Sequence, residues 1–457
     1  MAEPLNVVLV VLESVRADHL SCAGYARETT PFLDRVAREG VRFANMITTA
    51  PWTLPAHASL FTGLHAATHG ATEERRFLSA RPTLLPEYAK AAGYRTAAWC
   101  VNPWVSPETG FGRGFDVFFT QRHHNRLAAA LQYGRKASDR LLRRKDAGAR
   151  RTNDALKRWV ASSAQPFFAF VHYNDTHLPF DPPPPYNRLF LPKGIVPAQV
   201  RALNQDGNRC VARDVEMTES DFSIATALYD GALRYVDNRL REIADLLQTR
   251  GEWERTLFVV VGDHGEHLGE RGMLGHGFAL SEPLLRVPLL LRCPPRLPQG
   301  FVVDELAATT DVLPTILSLL GIAADGVHEQ GRALIDAGRA TPGPAFTVTE
   351  RFRPSLSAFQ QRFPHCDTRP FDVRQKALRT KHEKFIWRSD EANELYDLRT
   401  DPGEAQNLIE RDPGRADALR RQLFDWLAAV EKYEAAESAP DPGDRMRHEF
   451  RAMGYLV

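Results

Sequence analysis

The stretch "NVVLVVLES", Asn6 to Ser14, decides the fold class. Six apolar residues, Val7 to Leu12, run without alternation and stop at a carboxylate and a hydroxyl. A strand apolar at both parities must bury both faces, which happens in a parallel sheet covered by helices. Four more runs share this grammar: "RTAAWCVNP" (Arg95–Pro103), "PFFAFVHYND" (Pro166–Asp175), "RTLFVVVGDHGE" (Arg255–Glu266) and "RVPLLLRCP" (Arg286–Pro294). Helical patterns lie between them. "TTPFLDRVAREG" opens on a cap signal and stops at Gly40, "TLLPEYAKAAG" stops at Gly93, and "ALYDGALRYVDNRLREIADLLQTRG" is a long amphipathic helix ending at Gly251. Strand–helix alternation predicts a doubly wound α/β fold with a mostly parallel sheet.

Ligands of such sheets sit at the carboxyl ends of the strands. Glu13 and Ser14, Asn102, His172 to His177, and Asp263 with His264 all fall there. One such residue is ordinary turn chemistry; this density of carboxylate and imidazole points to a site.

The rest of the chain sets bounds. Of 457 residues, 43% are hydrophobic and 25% charged, an ordinary globular composition. A net charge of +1 gives no reason to expect a nucleic-acid or membrane partner. Five scattered cysteines, without a CxxC pair, argue against a disulfide framework or thiolate zinc site and fit a reducing compartment. The N-terminal apolar run is too short for a leader or a membrane span, so the expectation is a soluble, cytoplasmic protein with no membrane span. After about Ala345 the pattern changes to short strands and turns ("KFIWR", "NELYDLRTDPGEAQNL") and then a helix from roughly Asp417 to Lys432. The expected organisation is a catalytic α/β domain over 1–345, a small C-terminal α+β subdomain over 346–437, and a tail over 438–457. That tail ends apolar and suggests an arm for a homodimer. Residues 121–158 form a basic, helical insertion with twelve Lys or Arg against three Asp. It reads as a solvated face or as a docking surface for an anionic substrate. "DPPPPYNRLFLP" is a stiff loop that could wall a pocket beside His177.

The other decisive stretch is "TAPWTLPAHASLFTG", Thr49 to Gly63. Pro55 and the small residues after it favour a helix starting near Leu54, which makes Thr53 an N-cap or close to one. Local sequence alone favours the cap. A helix N-terminus also suits phosphate or sulfate, but a hydroxyl there becomes a nucleophile only with a base or a metal beside it. Glu13, Thr53, Asp263 and His264 together offer three oxygens and one imidazole. That mixed set suits one divalent ion, Mn²⁺ or Zn²⁺ before Mg²⁺ or Ca²⁺, with a second ion left open.

Across nearly its whole length the chain resembles the sulfatase branch of the alkaline phosphatase superfamily. "NVVLVVLESVRADHLSCAGYARETTPFLDRVAREGVRFAN", "TAPWTLPAHASLFTGLHAATHG", "PFFAFVHYNDTHLPF", "FVVVGDHGEHLGERGMLGHGFALSEPLLRVPLLLRCP" and "ALRTKHEKFIWRSDEANELYDLRTDPGEAQNL" carry the likeness, in the family's order. It implies an alkaline-phosphatase-like α/β fold with a metal-assisted nucleophile at a helix N-terminus. Sulfatases oxidise a Cys or Ser in a C/S-x-P-x-R frame to formylglycine. Here that frame reads Thr53-Leu54-Pro55-Ala56-His57, and oxidised threonine would be a ketone, not the aldehyde that chemistry needs. The Glu–Thr–Asp–His set looks like that of the phosphoglycerol transferases that build lipoteichoic acid, which use threonine.

The resemblance implies Glu13, Thr53, Asp263 and His264 as metal ligands, with Thr53 also the nucleophile. It makes His177 and His276 contacts for the substrate or leaving group, His57 the residue in place of the arginine, and Asn102 a polar anion contact. His172 and Asp175 are weaker substrate-binding candidates. Arg16 and Asp18 are expected to hold the first loop, and His65, His69 and His267 to be structural or solvated. The leading expectation is a metal-dependent phosphoric ester hydrolase or phosphotransferase working on an anionic ester through a phosphothreonine. The alternatives are a sulfatase acting without formylglycine, and an inactive family member that serves as a binding protein.

Overall fold

A computed structural model describes residues 4–120, 146–163, 166–323 and 330–433. Most of the basic insertion and the whole C-terminal tail, with its expected dimer arm, lie outside the described residues.

The large sheet contains eight strands: β1 (Asn6–Leu12), β2 (Val41–Ile47), β3 (Arg95–Trp99), β4 (Val117–Phe119), β5 (Phe167–Tyr173), β6 (Thr256–Gly262), and, after the short hairpin β7 (His267–Leu268) and β8 (Leu274–Gly275), β9 (Leu289–Arg292) and β10 (Phe301–Ala308). Their order is β10-β2-β9-β6-β1-β5-β3-β4. Central β1, β5 and β6 are buried at every residue. The reason is visible in β1. Val7, Leu9 and Val11 enter one apolar cluster, with the helix α2 (Thr53–Thr62) and the helices Leu85–Ala91 and Val312–Leu320. Val8, Val10 and Leu12 enter a second, with α1 (Pro31–Glu39), the helix Ala149–Ala161 and the long helix Glu219–Thr249. Two covered faces need an apolar residue at every position, the pattern read in the sequence.

Two details differ from the expectation. "RVPLLLRCP" forms β9, which runs antiparallel to both β2 and β6. The long helix starts at Glu219, not near Ala227, behind a Thr218–Asp221 capping box.

A four-stranded antiparallel sheet follows the main domain: β13 (Phe346–Arg351), β14 (Gln375–Thr380), β15 (Glu383–Arg388) and β16 (Glu394–Asp397), after a small hairpin of β11 (Ile335–Asp336) and β12 (Arg339–Ala340). The helix Pro413–Ala429 packs on it through Ala416, Leu419 and Leu423. Its edge strand β13 reaches back into the main domain. Glu350 N–H donates to Thr49 O at 2.9 Å, Thr349 Oγ1 to Thr48 O at 2.6 Å, and Arg351 Nε to Gly277 O at 2.7 Å.

Candidate active site

Four adjacent strands, β6, β1, β5 and β3, deliver the polar residues to one place. Glu13 directly follows β1, Asp263 and His264 directly follow β6, His172 is the penultimate residue of β5, and Asn102 lies three residues beyond β3. Thr53 arrives on α2, which begins six residues after β2.

Thr53 is not a cap. Trp52 occupies the N-cap position in extended conformation, and Thr53 is the first helical residue. Its Oγ1 donates to Glu13 Oε1 at 2.7 Å and lies 3.5 Å from His264 Nε2. All ten residues of α2 are buried. The small residues Ala56, Ala58 and Ser59 let a whole helix sink into the core, and Gly63 ends it at φ 71°.

Glu13 is the hub. Its Oε2 accepts from Asn102 Nδ2 at 2.9 Å and lies 2.8 Å from His172 Nε2, while Oε1 is 3.3 Å from His264 Nε2. Burial raises its pKa, but the imidazoles of His172 and His264 outweigh burial and hold the carboxyl well below the usual range. Asp263 Oδ1 accepts the N–H groups of Ser14 (3.0 Å) and His264 (2.8 Å). Ser14 stands at φ 56°, strained for a non-glycine, and that turn aims its N–H at the carboxylate. Asp263 Oδ2 has no hydrogen-bond partner although His264 Nε2 is 3.4 Å away. Burial, and then the charge of Glu13, push Asp263 up to about 7. His264 Nδ1 donates to Gly265 O at 2.9 Å, which turns the Nε2 lone pair toward Glu13, Thr53 and Asp263.

Glu13, Asp263 and His264 each present a ligand atom within 4.8 Å of the others, all fully buried. Their atoms are close yet poorly aligned for bonds to one another, the pattern of donors aimed at a common point. With Thr53 Oγ1 they fit a single divalent ion of mixed oxygen and nitrogen preference.

His177 and His276 stand over this cluster. The rings of His264 and His276 are 4.2 Å apart, and those of His177 and His276 are 5.2 Å apart. His177 Nδ1 donates to Leu178 O, and His276 Nδ1 pairs with Glu266 Oε1 at 2.9 Å. Burial lowers both imidazoles, with His276 acting further on His177 and His264 on His276. Both line a cavity of about 600 Å³ walled by Trp52, Trp104 and Arg76, with Phe359 and Arg362 supplied from beyond β13. His57 Nδ1 donates to the Thr53 carbonyl at 2.9 Å, and burial lowers its pKa to about 3. Asp175 is engaged elsewhere: its Oδ1 accepts the Ala147 N–H, and burial with the nearby Asp146 raises it to about 8. Arg16 forks onto Asp18 and reaches Glu270. His65, His69 and His267 are buried, and His69 and His267 each meet a serine hydroxyl.

Three supporting residues had escaped sequence reasoning. Thr176 Oγ1 donates to the Glu13 carbonyl at 2.6 Å, Glu266 holds His276, and Tyr229 OH bridges Ser14 O and Arg16 N–H. Glu266 carried a signal, lying two residues beyond His264; Tyr229 on the long helix carried none.

The sulfatase family's sequence model matches residues 5–322. The chain belongs to the sulfatase family. A second model, the C-terminal part of N-sulphoglucosamine sulphohydrolase, matches residues 269–432. An arylsulfatase of Clostridium perfringens is 26% identical, covering 93% of this chain and 95% of that protein. The multifunctional alkaline phosphatase superfamily protein PehA of Trinickia caryophylli is 25% identical, over 69% and 74% of the two chains. Among solved structures, the phosphonate monoester hydrolase of Agrobacterium radiobacter superposes with a TM-score of 0.77 at 23% identity, covering 93% of this chain and 96% of the other. That likeness establishes a sulfatase-like, alkaline-phosphatase-like fold for this member. Among the described residues, no helix is long and apolar enough to cross a membrane.

Proposed function

We propose that this sulfatase-family protein is a metal-dependent phosphoric ester hydrolase or phosphotransferase with Thr53 as its nucleophile. The observation that carries the reading is the placement of Thr53 Oγ1 against Glu13 and His264, with Asp263 beside them, instead of in a cap. A divalent ion held by Glu13, Thr53, Asp263 and His264 would acidify the hydroxyl and neutralise charge on the transferring group.

The chain's own residues supply the remaining parts. Thr53 Oγ1 forms the new bond to phosphorus while the bond to the ester oxygen breaks in line. The threonine proton has an acceptor in place, Glu13 Oε1. One of His177 and His276, both lowered by burial and so protonated only beside the anionic ester, gives a proton to the departing oxygen. His57 keeps the first turn of α2 in register through the Thr53 carbonyl. Asn102 orients Glu13 through its Oε2. Water then releases phosphate from Thr53, or an alcohol takes it in a transfer. The substrate is an anionic ester in the cavity beside Arg76. The ligand quartet resembles that of the lipoteichoic-type transferases, which is one reason to include transfer to an alcohol. Five free cysteines support a reducing, cytoplasmic setting.

The second reading is sulfate ester hydrolysis without formylglycine, favoured by the relatives named sulfatases. One comparison separates the two: turnover of p-nitrophenyl phosphate, its diester analogue and p-nitrophenyl sulfate by wild type and Thr53→Ala. Phosphoester turnover that disappears in the variant supports the leading reading. Turnover of the sulfate alone overturns it in favour of the second.

A further inference from the structure

Arg76 lines the cavity, half-buried, and among the described residues its guanidinium has no ion-pair or hydrogen-bond partner. The other charged groups of the wall are engaged. Arg362 pairs with Asp206, Glu73 Oε2 accepts the Phe352 N–H at 3.0 Å, and His276 Nδ1 meets Glu266. A cation drawn out of water without a counter-charge is costly, and an arriving anion removes that cost. Burial lowers the Arg76 pKa and Glu73 opposes it, while no strand-end carboxylate contributes, so Arg76 stands beyond the reacting group. The wall that leads there is aromatic. Trp52 directly precedes Thr53 and meets Trp104 edge-on at 5.4 Å. The Trp104 main-chain N–H donates to Asn102 Oδ1 at 2.9 Å, and Asn102 bonds Glu13. The Arg76 Cζ lies 5.9 Å from the centre of the Trp104 ring. Phe278 and Phe359, 5.9 Å apart, add a second aromatic pair to the wall.

We propose that the leaving group of the substrate is an aromatic ring carrying a carboxylate, and that Arg76 is the residue that selects it. The proposal rests on the reading of the site as an ester-cleaving centre at Thr53. With the reacting ester at Thr53, the ring lies along the Trp52–Trp104 wall and its carboxylate meets Arg76. The planar guanidinium fork matches a carboxylate through two parallel hydrogen bonds, which a lysine would not reproduce. Aromatic walls suit a flat ring, whereas a sugar would bring hydroxyls that indole and phenyl faces leave unsatisfied. On transfer, the bond from phosphorus to the aryl oxygen breaks and its electron pair stays on that oxygen. The oxygen takes the histidine proton and departs as a hydroxyaryl carboxylate.

The test compares matched esters. Phenyl phosphates with a carboxylate at the meta or para position, or one methylene beyond the para position, are assayed beside their carboxamides with wild type, Arg76→Gln and Arg76→Lys. Differences in leaving-group reactivity cancel when the acid-to-amide ratio of kcat/KM is compared between proteins. The proposal expects at least one acid whose ratio is about 10-fold or more higher in wild type than in Arg76→Gln, mainly through KM, with Arg76→Lys between them. Equal ratios in wild type and Arg76→Gln for every pair overturn it, since a merely structural arginine would slow acid and amide alike. Should circular dichroism show Arg76→Gln misfolded, Arg76→Lys stands in, and an undiminished ratio overturns the proposal. Turnover of the corresponding sulfate esters alone would contradict the phosphoester reading, and the same ratio measured on the sulfates then decides Arg76. If no ester is turned over, calorimetric titration with the free hydroxybenzoates and hydroxybenzamides decides it. Tighter binding of an acid that Arg76→Gln abolishes supports the proposal, and equal binding overturns it.

Discussion

Thr53 and Glu13 depend on each other. The hydroxyl is oriented by the carboxylate, the carboxylate is held by Asn102 with His172 2.8 Å from its Oε2, and the Thr176 hydroxyl holds the Glu13 main-chain carbonyl. Thr53→Ala should therefore lower turnover about 10³-fold or more with metal content reduced but the fold intact, checked by kcat and circular dichroism. Asn102→Ala touches neither Thr53 nor the candidate ligand atoms of Asp263 and His264. It should cost about 10–100-fold in metal affinity or kcat, read by metal titration, because it removes the donor that fixes Glu13 Oε2. Glu13, Asp263 and His264 were legible as candidates because each sits just past a recognisable strand. The position of Thr53 was not: a hydroxyl beside Pro55 looks the same whether it caps its own helix or turns to a carboxylate forty residues away. Asp175 shows the converse. It shares a segment with His177, yet its partner is the Ala147 N–H.

Among the elements, the strands were legible because burial on both faces writes an unbroken apolar run. The direction of β9 was not, since such a run reads alike both ways and only the neighbours β2 and β6 reveal it. Helix starts suffer similarly when the cap comes from afar. The Thr30 side chain does not cap α1; Asp237 of the long helix accepts the N–H groups of Phe32 and Leu33, both at 2.9 Å. Asp237→Ala should lose about 1–3 kcal/mol, measured by denaturant unfolding. Burial raises the Asp237 pKa from 3.8 to about 7. The folded state thus holds this proton more tightly than the unfolded chain. Its contribution to stability is complete below pH 3.8 and declines as pH rises through about 7. The stability of wild type relative to Asp237→Asn should fall over that window, and a flat or rising difference would contradict this account.

At the scale of the molecule, the C-terminal sheet is a buttress for the site. Strand β13 grips Thr48 and Thr49 ahead of Thr53, and its Arg351 holds Gly277 next to His276. Glu350 anchors that strand: its carboxylate accepts the Ala67 N–H at 2.9 Å and Lys376 Nζ at 2.6 Å, and both side chains are buried. Glu350→Ala strands the Lys376 charge and should cost about 3–5 kcal/mol in an unfolding titration. The change of grammar after Ala345 revealed that a second sheet exists. Its docking was illegible, because the contacts are backbone carbonyls of Thr48, Thr49 and Gly277 that any residue would supply.

The central claim is that a hydroxyl gripped by a buried ligand quartet is the attacking atom. Rapid acid quench during turnover of p-nitrophenyl phosphate, followed by intact and peptide mass spectrometry, tests it most directly. The account predicts one added phosphoryl group, located on Thr53 and absent from Thr53→Ala. Turnover with the added group on another residue, or undiminished turnover by Thr53→Ala, would contradict it.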